Sequence, residues 1–193
     1  MNLDLEGRIC VVAGDTRGIA AATARMLSQE GAQVLSAARE RADIELDLTA
    51  PEAGERLLEA CPEPPWALVS NPTPGSARAD QGLAEARWQA SWEQQVMAPM
   101  RLMRALAPAM ADAGGGRVVN VSSAAGVMRA AELSLSRLFA EAFAARGVLV
   151  NSITPGAGAD DEIPAVIAFL CSERASNVTG AAWAAGGGTV SSV

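Results

Sequence analysis

Short apolar runs rich in β-branched residues alternate along this chain with Ala- and Leu-rich stretches whose apolar positions recur every three to four residues. The first pattern reads as buried strand and the second as amphipathic helix. Strands are predicted over 8–13, 33–37, 44–47, 66–70, 117–121, 148–153 and, more weakly, 181–185. Helices are predicted over 19–30, 51–60 and 81–113, from the region after 123 to about 145, and over 162–172. Gly31 is placed to stop the first helix. Val96, Met100, Met103, Leu106 and Met110 keep helical spacing, so the long third helix has one apolar face, suited to a core or to a subunit contact. Strands that are apolar throughout, each followed by a helix, imply a parallel sheet covered on both faces. The expected architecture is α/β, three layers, six to seven strands, with residues 1–193 as one domain.

Composition narrows the chemistry. The chain has 193 residues and a net charge of −7, which argues against nucleic acid and against anionic membrane surfaces as partners. No apolar run approaches the length of a membrane span, and the first residues lack a basic leader, so a cytoplasmic location is expected. Cys10, Cys61 and Cys171 are scattered and read as free thiols. With no histidine and no clustered cysteine, no metal site is expected. Tyrosine and lysine are also absent; all 15 basic residues are arginine. Most side chains able to pass a proton near neutral pH are therefore missing.

Gly14-Asp15-Thr16-Arg17-Gly18-Ile19 falls where the first strand hands over to the first helix. Glycines there permit a tight turn, and the helix start offers N–H groups to a pyrophosphate. From Ala13 to Ala20 the chain is similar to the TGxxxGxG motif, with alanine for the first Thr and the last Gly. Leu46-Asp47-Leu48-Thr49, Leu68-Val69-Ser70-Asn71, Val118-Val119-Asn120-Val121-Ser122-Ser123 and Val150-Asn151-Ser152-Ile153-Thr154-Pro155-Gly156 follow in the matching order. Phe169-Leu170-Cys171-Ser172 and Val178-Thr179-Gly180 complete it. On these motifs, which span nearly the whole chain, the sequence resembles the short-chain dehydrogenase/reductase family.

The resemblance implies a Rossmann-like doubly wound sheet and a dinucleotide site built from Gly14, Thr16, Arg17, Gly18, Ile19, Arg39, Asp47, Leu48, Asn71, Arg129, Pro155 and Gly156. It places Asp47 against the adenine amino group and Pro155-Gly156 beside the nicotinamide. Arg17 and Arg39 stand where NADP-using members carry arginines, and no acid stands at Ala37 or Ala38, so NADP is implied over NAD.

The family's catalytic serine corresponds to Ser123. Its YxxxK motif falls on Ala125 and Arg129 when the helix is matched without a gap. A second register, Leu133 to Arg137, gives the same replacements, an apolar residue for Tyr and Arg for Lys. Ser123 and Arg129 are the candidate catalytic residues, with Ser123 equally placed to cap a helix. Gln95 takes the place of a family asparagine. The helix between strands two and three, the loop between serine and tyrosine, and the segment between Gly156 and Glu162 are all short.

Three readings follow. The chain is a catalytically silent subunit that pairs with itself or with an active relative through the methionine-bearing helix and the helix after 129. Alternatively it is an NADP-dependent carbonyl or alcohol oxidoreductase without tyrosine, or a non-redox isomerase, cyclase or dehydratase using Asp15, Glu132, Asp160 or Asp161 on a small-molecule substrate. Or it is a nucleotide-sensing or structural domain.

Overall fold

Seven strands form one parallel sheet: β1 (Ile9–Gly14), β2 (Gln33–Ala38), β3 (Ile44–Glu45), β4 (Ala67–Asn71), β5 (Gly116–Val121), β6 (Val148–Pro155) and β7 (Ala182–Ala185), in the order β3-β2-β1-β4-β5-β6-β7. The computed structural model describes residues 2–72, 84–122, 126–156 and 162–188. Among the described residues six α-helices flank the sheet: α1 (Gly18–Gln29), α2 (Ala53–Ala60), α3 (Glu85–Trp92), α4 (Ala98–Asp112), α5 (Gly126–Phe143) and α6 (Ile163–Cys171).

Alternation along the strands explains why whole strands are apolar. Cys10 and Val12 of β1 face the layer made by α1 and α6, together with Val69, Val119 and Ile153. Val11 and Ala13 face the opposite layer of α2, α4 and α5, together with Leu68, Val118 and Val150. Each central strand thus contributes to two cores, the arrangement a doubly wound sheet requires.

The long helix expected over 81–113 is interrupted. Between α3 and α4 the residues Glu93–Met97 form a π-helical turn, in which the N–H of Ala98 reaches back to the Glu93 carbonyl. Pro99 supplies the cause: it has no N–H for the carbonyl four residues earlier, so the ladder slips by one residue. The stripe is core along most of its length, with Met100 half-buried. Met103, Leu106 and Met110 are 0% exposed and pack under the sheet, with Val96 also buried. Of the two uses that the spacing allows, core and subunit contact, these side chains take the core.

Two strands differ by two residues in length from their expected spans. β3 holds two residues where four were expected, and β6 runs on through Pro155. Pro155 can lie in the strand because β5 has already ended there, and its neighbour is Ala185 of β7.

At the amino edge of the sheet a cationic clasp joins distant segments. The guanidinium carbons of Arg8 and Arg117 lie 4.0 and 4.6 Å from the centre of the Trp66 ring. Glu173 accepts from both, at 3.4 Å from Arg8 and 2.9 Å from Arg117. The Trp66 indole donates to the Cys171 carbonyl at 2.8 Å, and Arg117 Nε donates to the Ser172 carbonyl at 3.1 Å. The starts of β1, β4 and β5 are thereby tied to the end of α6.

Candidate functional site

Strand order reverses between β1 and β4, since β1 leads outward to β2 and β4 leads the other way to β5. In open parallel sheets the crevice at the carboxyl ends of such strands is where ligands sit. Here Gly14, the last residue of β1, pairs with Asn71, the last of β4. Gly14 has φ +152, and a Cβ on it would run into the Asn71 carbonyl. Only glycine lets the two strand ends lie this close.

A cleft of about 750 Å³ opens beside this pair. Its walls include Gly14, Asp15, Thr16 and Arg17 from the glycine turn, Arg39 and Arg41 after β2, and Asp47, Leu48 and Thr49 after β3. Gln94 of the π-helical turn and Pro99 and Leu102 of α4 close the far side. The turn presents Gln94 to the cleft and leaves Gln95 buried.

The start of α1 is open to an anion. Its cap residue Arg17 makes no side-chain capping bond, and its first turn holds no acid. Gly18 has φ +55, and a Cβ built there meets nothing within 4 Å, so space for close backbone approach exists at the helix start. Asp15 would oppose an anion, but Arg17 forks onto it, Nε to Oδ1 at 3.3 Å and Nη2 to Oδ2 at 3.2 Å.

Asp47 is fixed at the other end. Its Oδ1 accepts from the Thr49 hydroxyl at 2.7 Å, the Thr49 N–H at 3.0 Å and Arg39 Nη2 at 3.3 Å. These bonds, the Thr49 hydroxyl first, hold the Asp47 carboxyl below the usual carboxylate range. Among the described residues Oδ2 takes no bond, which leaves one acceptor free on a residue that lines the cleft.

The cleft therefore gathers Gly14, Thr16, Arg17, Arg39, Asp47 and Leu48 from the expected set. Gly18, Ile19, Asn71, Pro155, Gly156 and Arg129 do not line it. Asn71 and Pro155 lie on the same carboxyl edge, at the ends of β4 and β6. Ser123, Ala125, Asp160 and Asp161 lie outside the described residues.

Arg129 is on the inward face of α5, 8% exposed, and its Nε has no hydrogen-bond partner. Arg137, the alternative position for the family lysine, is exposed. The gap-free register is thus the one that brings a guanidinium inside. Glu132, one turn further along the same face, is also buried. Beyond it, Ser136 accepts from Asn120 Nδ2 at 2.8 Å and from the Ser152 hydroxyl at 2.7 Å, tying α5 to β5 and β6. The Oδ1 of Asn120 is buried without a partner.

The thiols are not nucleophiles. Burial pushes Cys10 up to about 12 and raises Cys171 and Cys61 as well, so all three stay protonated near neutrality. Arg41, Thr49 and Gln94 were not expected in the site. Each enters through a local shape, a tight turn, a side-chain bond or a helix irregularity, for which the residue string carries no spacing rule.

Fold and cleft together define a doubly wound α/β protein with its ligand crevice at the switch point. The chain belongs to the short-chain dehydrogenase family, whose model matches residues 42–161, more than half of its length. It is 25% identical to the 3-oxoacyl-(acyl-carrier-protein) reductase FabG of Vibrio cholerae over 232 residues, covering 92% of this chain and 95% of the relative. It is 28% identical over 250 residues to human dehydrogenase/reductase SDR family member 4, covering 97% and 89%. Among solved structures, L-sorbose reductase of Gluconobacter frateurii, complexed with NADPH and L-sorbose, superposes with a TM-score of 0.88 at 24% identity over the whole of both chains. That likeness establishes the fold.

Proposed function

We propose that this protein binds a nicotinamide dinucleotide, NADP in preference to NAD, and is silent as a carbonyl reductase, acting as a subunit beside an active relative or a second copy. The observation that carries the reading is a contrast between two halves of one site. The half formed by the glycine turn, Arg39 and Asp47 is a furnished cleft. For the other half, the chain contains no tyrosine, lysine or histidine to serve as acid and base.

The residues present fit the dinucleotide. The pyrophosphate would lie over Gly14, Gly18 and Ile19 at the uncapped start of α1. Asp47 Oδ2 and Leu48 would receive the adenine, and Arg17 and Arg39 would turn to a 2′-phosphate. Arg129, buried with an unpartnered Nε, would find a polar partner on the ribose beside Asn71, Pro155 and Gly156. When bound, the cofactor would carry hydride chemistry. A guanidinium cannot cycle the proton that such chemistry requires.

The contact with a partner is proposed on the outward side of α5, where Val127 and Leu138 are 59% and 61% exposed. A second reading, an enzyme with altered chemistry, draws on one observation, the buried carboxylate of Glu132 on the same helix face as Arg129.

Calorimetric titration with NADP⁺ and NAD⁺, followed by an NADPH absorbance assay over a panel of ketones and aldehydes, tests the proposal. Binding with no turnover is expected. Turnover above the protein-free rate would refute silence, and failure of both dinucleotides to bind would refute the site.

A further inference from the structure

Arg101 of α4 does not line the cleft, yet it bonds to two segments that shape it. Its Nη1 donates to the Thr49 carbonyl at 3.0 Å and to Glu93 Oε2 at 2.9 Å. Thr49 belongs to the connection after β3 that also brings Asp47 and Leu48 to the cleft. Glu93 is the first residue of the π-helical turn that brings Gln94 there. One guanidinium thus ties the adenine end of the cleft to its far side.

The ties run in series. Asp47 Oδ1 holds the Thr49 N–H and hydroxyl, the Thr49 carbonyl holds Arg101, and Arg101 holds Glu93. The backbone of Arg101 is fixed as well. A Cβ on Gly54 would run into the Arg101 carbonyl and the Ala105 side chain, so glycine lets α2 seat directly on α4 at this point. The strut stands on a close helix contact, one end of which begins just after Thr49.

Burial decides which ion pair near the cleft can carry force. The arginine side chains of Arg17–Asp15 and Arg39–Asp47 are 86% and 66% exposed, so water and salt screen both pairs. The Arg101 side chain is 14% exposed. Its charge-assisted bonds are shielded, and without it the Thr49 carbonyl and the Glu93 carboxylate each lose a partner. The turn it holds is a single departure from the α-helical ladder, a place where a tie at one residue can bias the local shape.

We infer that Arg101 is a positioning residue that couples the adenine end of the cleft to the π-helical turn, so that a nucleotide engaging Asp47 also sets where Gln94 stands. The inference rests on the proposal above that the cleft takes a dinucleotide. Coupling of this kind is reciprocal: a turn held in place strengthens adenine binding by the same factor.

Trp92, the last residue of α3, directly precedes the turn and reports on it by fluorescence. The test adds ADP and NADP⁺ to the full chain, with calorimetry for affinity and tryptophan emission for the turn. The part of the emission change lost in Trp92→Phe is the turn's response. In the wild type, ADP alone should produce that response. Arg101→Met keeps the apolar stem and removes the donors; it should weaken ADP about fivefold and abolish the Trp92 response even at saturating ADP. Glu93→Ala should abolish the response too, and Glu93→Gln, which keeps an acceptor, should restore it with ADP affinity within about twofold of wild type. Circular dichroism and a urea midpoint establish that each variant is folded, and Glu93→Ala carries the test if Arg101→Met is not. A folded Arg101→Met or Glu93→Ala protein that keeps the full response at saturating ADP overturns the inference, as does a wild-type chain that binds ADP without any response. Each of these outcomes leaves the dinucleotide site standing. A wild-type chain that binds neither ADP nor NADP⁺ overturns both.

Discussion

At the scale of single residues, the two glycines of the first turn have different jobs. Gly14 is needed by the fold, because a Cβ there meets the Asn71 backbone. Gly18 faces open space, where the proposed pyrophosphate would lie. Gly14→Ala should lower unfolding stability by about 3 kcal/mol. Gly18→Ala should lower it by only about 1 kcal/mol while abolishing dinucleotide binding. Urea titration and calorimetry on the same two variants separate the roles. Two carboxylates, Asp43 on the turn before β3 and Asp47 in the cleft, give a pH signature. Asp43 is held below the usual carboxylate range first by the Ser36 hydroxyl, and Asp47 first by the Thr49 hydroxyl. A depressed folded-state value contributes stability that is complete above the ordinary aspartate range and is lost as pH falls through the folded value. The urea midpoint should therefore hold from pH 7 to about 5 and fall below about pH 4, and Asp43→Asn should blunt that fall. Gly14, Thr16, Arg17, Asp47 and Leu48 were legible in the sequence because a turn motif and a strand-end acid have fixed spacing. Arg41 was not, because its place in the cleft depends on the path of a five-residue loop, 39–43.

At the scale of elements, periodicity told which side of a helix is apolar but not what covers it. The stripe through Met103, Leu106 and Met110 is buried under this chain's own sheet, whereas Leu138 of α5 looks outward. Met103→Ala should cost about 2–5 kcal/mol and leave the oligomeric state unchanged. Leu138→Ser should change stability by less than about 0.5 kcal/mol and reduce the apparent mass by light scattering. An unchanged mass for Leu138→Ser would remove the proposed contact on α5. The π-helical turn was invisible to a pattern read at 3.6 residues per turn, since Glu93–Met97 adds a residue without breaking the apolar face. Pro99 was its one local signal, and a proline near a helix start ordinarily marks only a beginning.

At the scale of the whole molecule, the sheet and its layers were legible because alternating strands and helices leave few topologies open. The cleft was only half legible, since it is assembled from three connections of unlike shape. The clasp around Trp66 was not foreseen at all. It joins Arg8, Trp66, Arg117 and Glu173, residues drawn from nearly the full length of the chain. Contacts so far apart in sequence bring no reward until the segments between them are ordered. The clasp should therefore close after the barrier to folding has been crossed and act as a latch on the return path. Trp66→Phe should speed unfolding in stopped-flow urea jumps and leave the refolding limb nearly unmoved. On that account the edge of the sheet farthest from the ligand sets how long the native protein lasts.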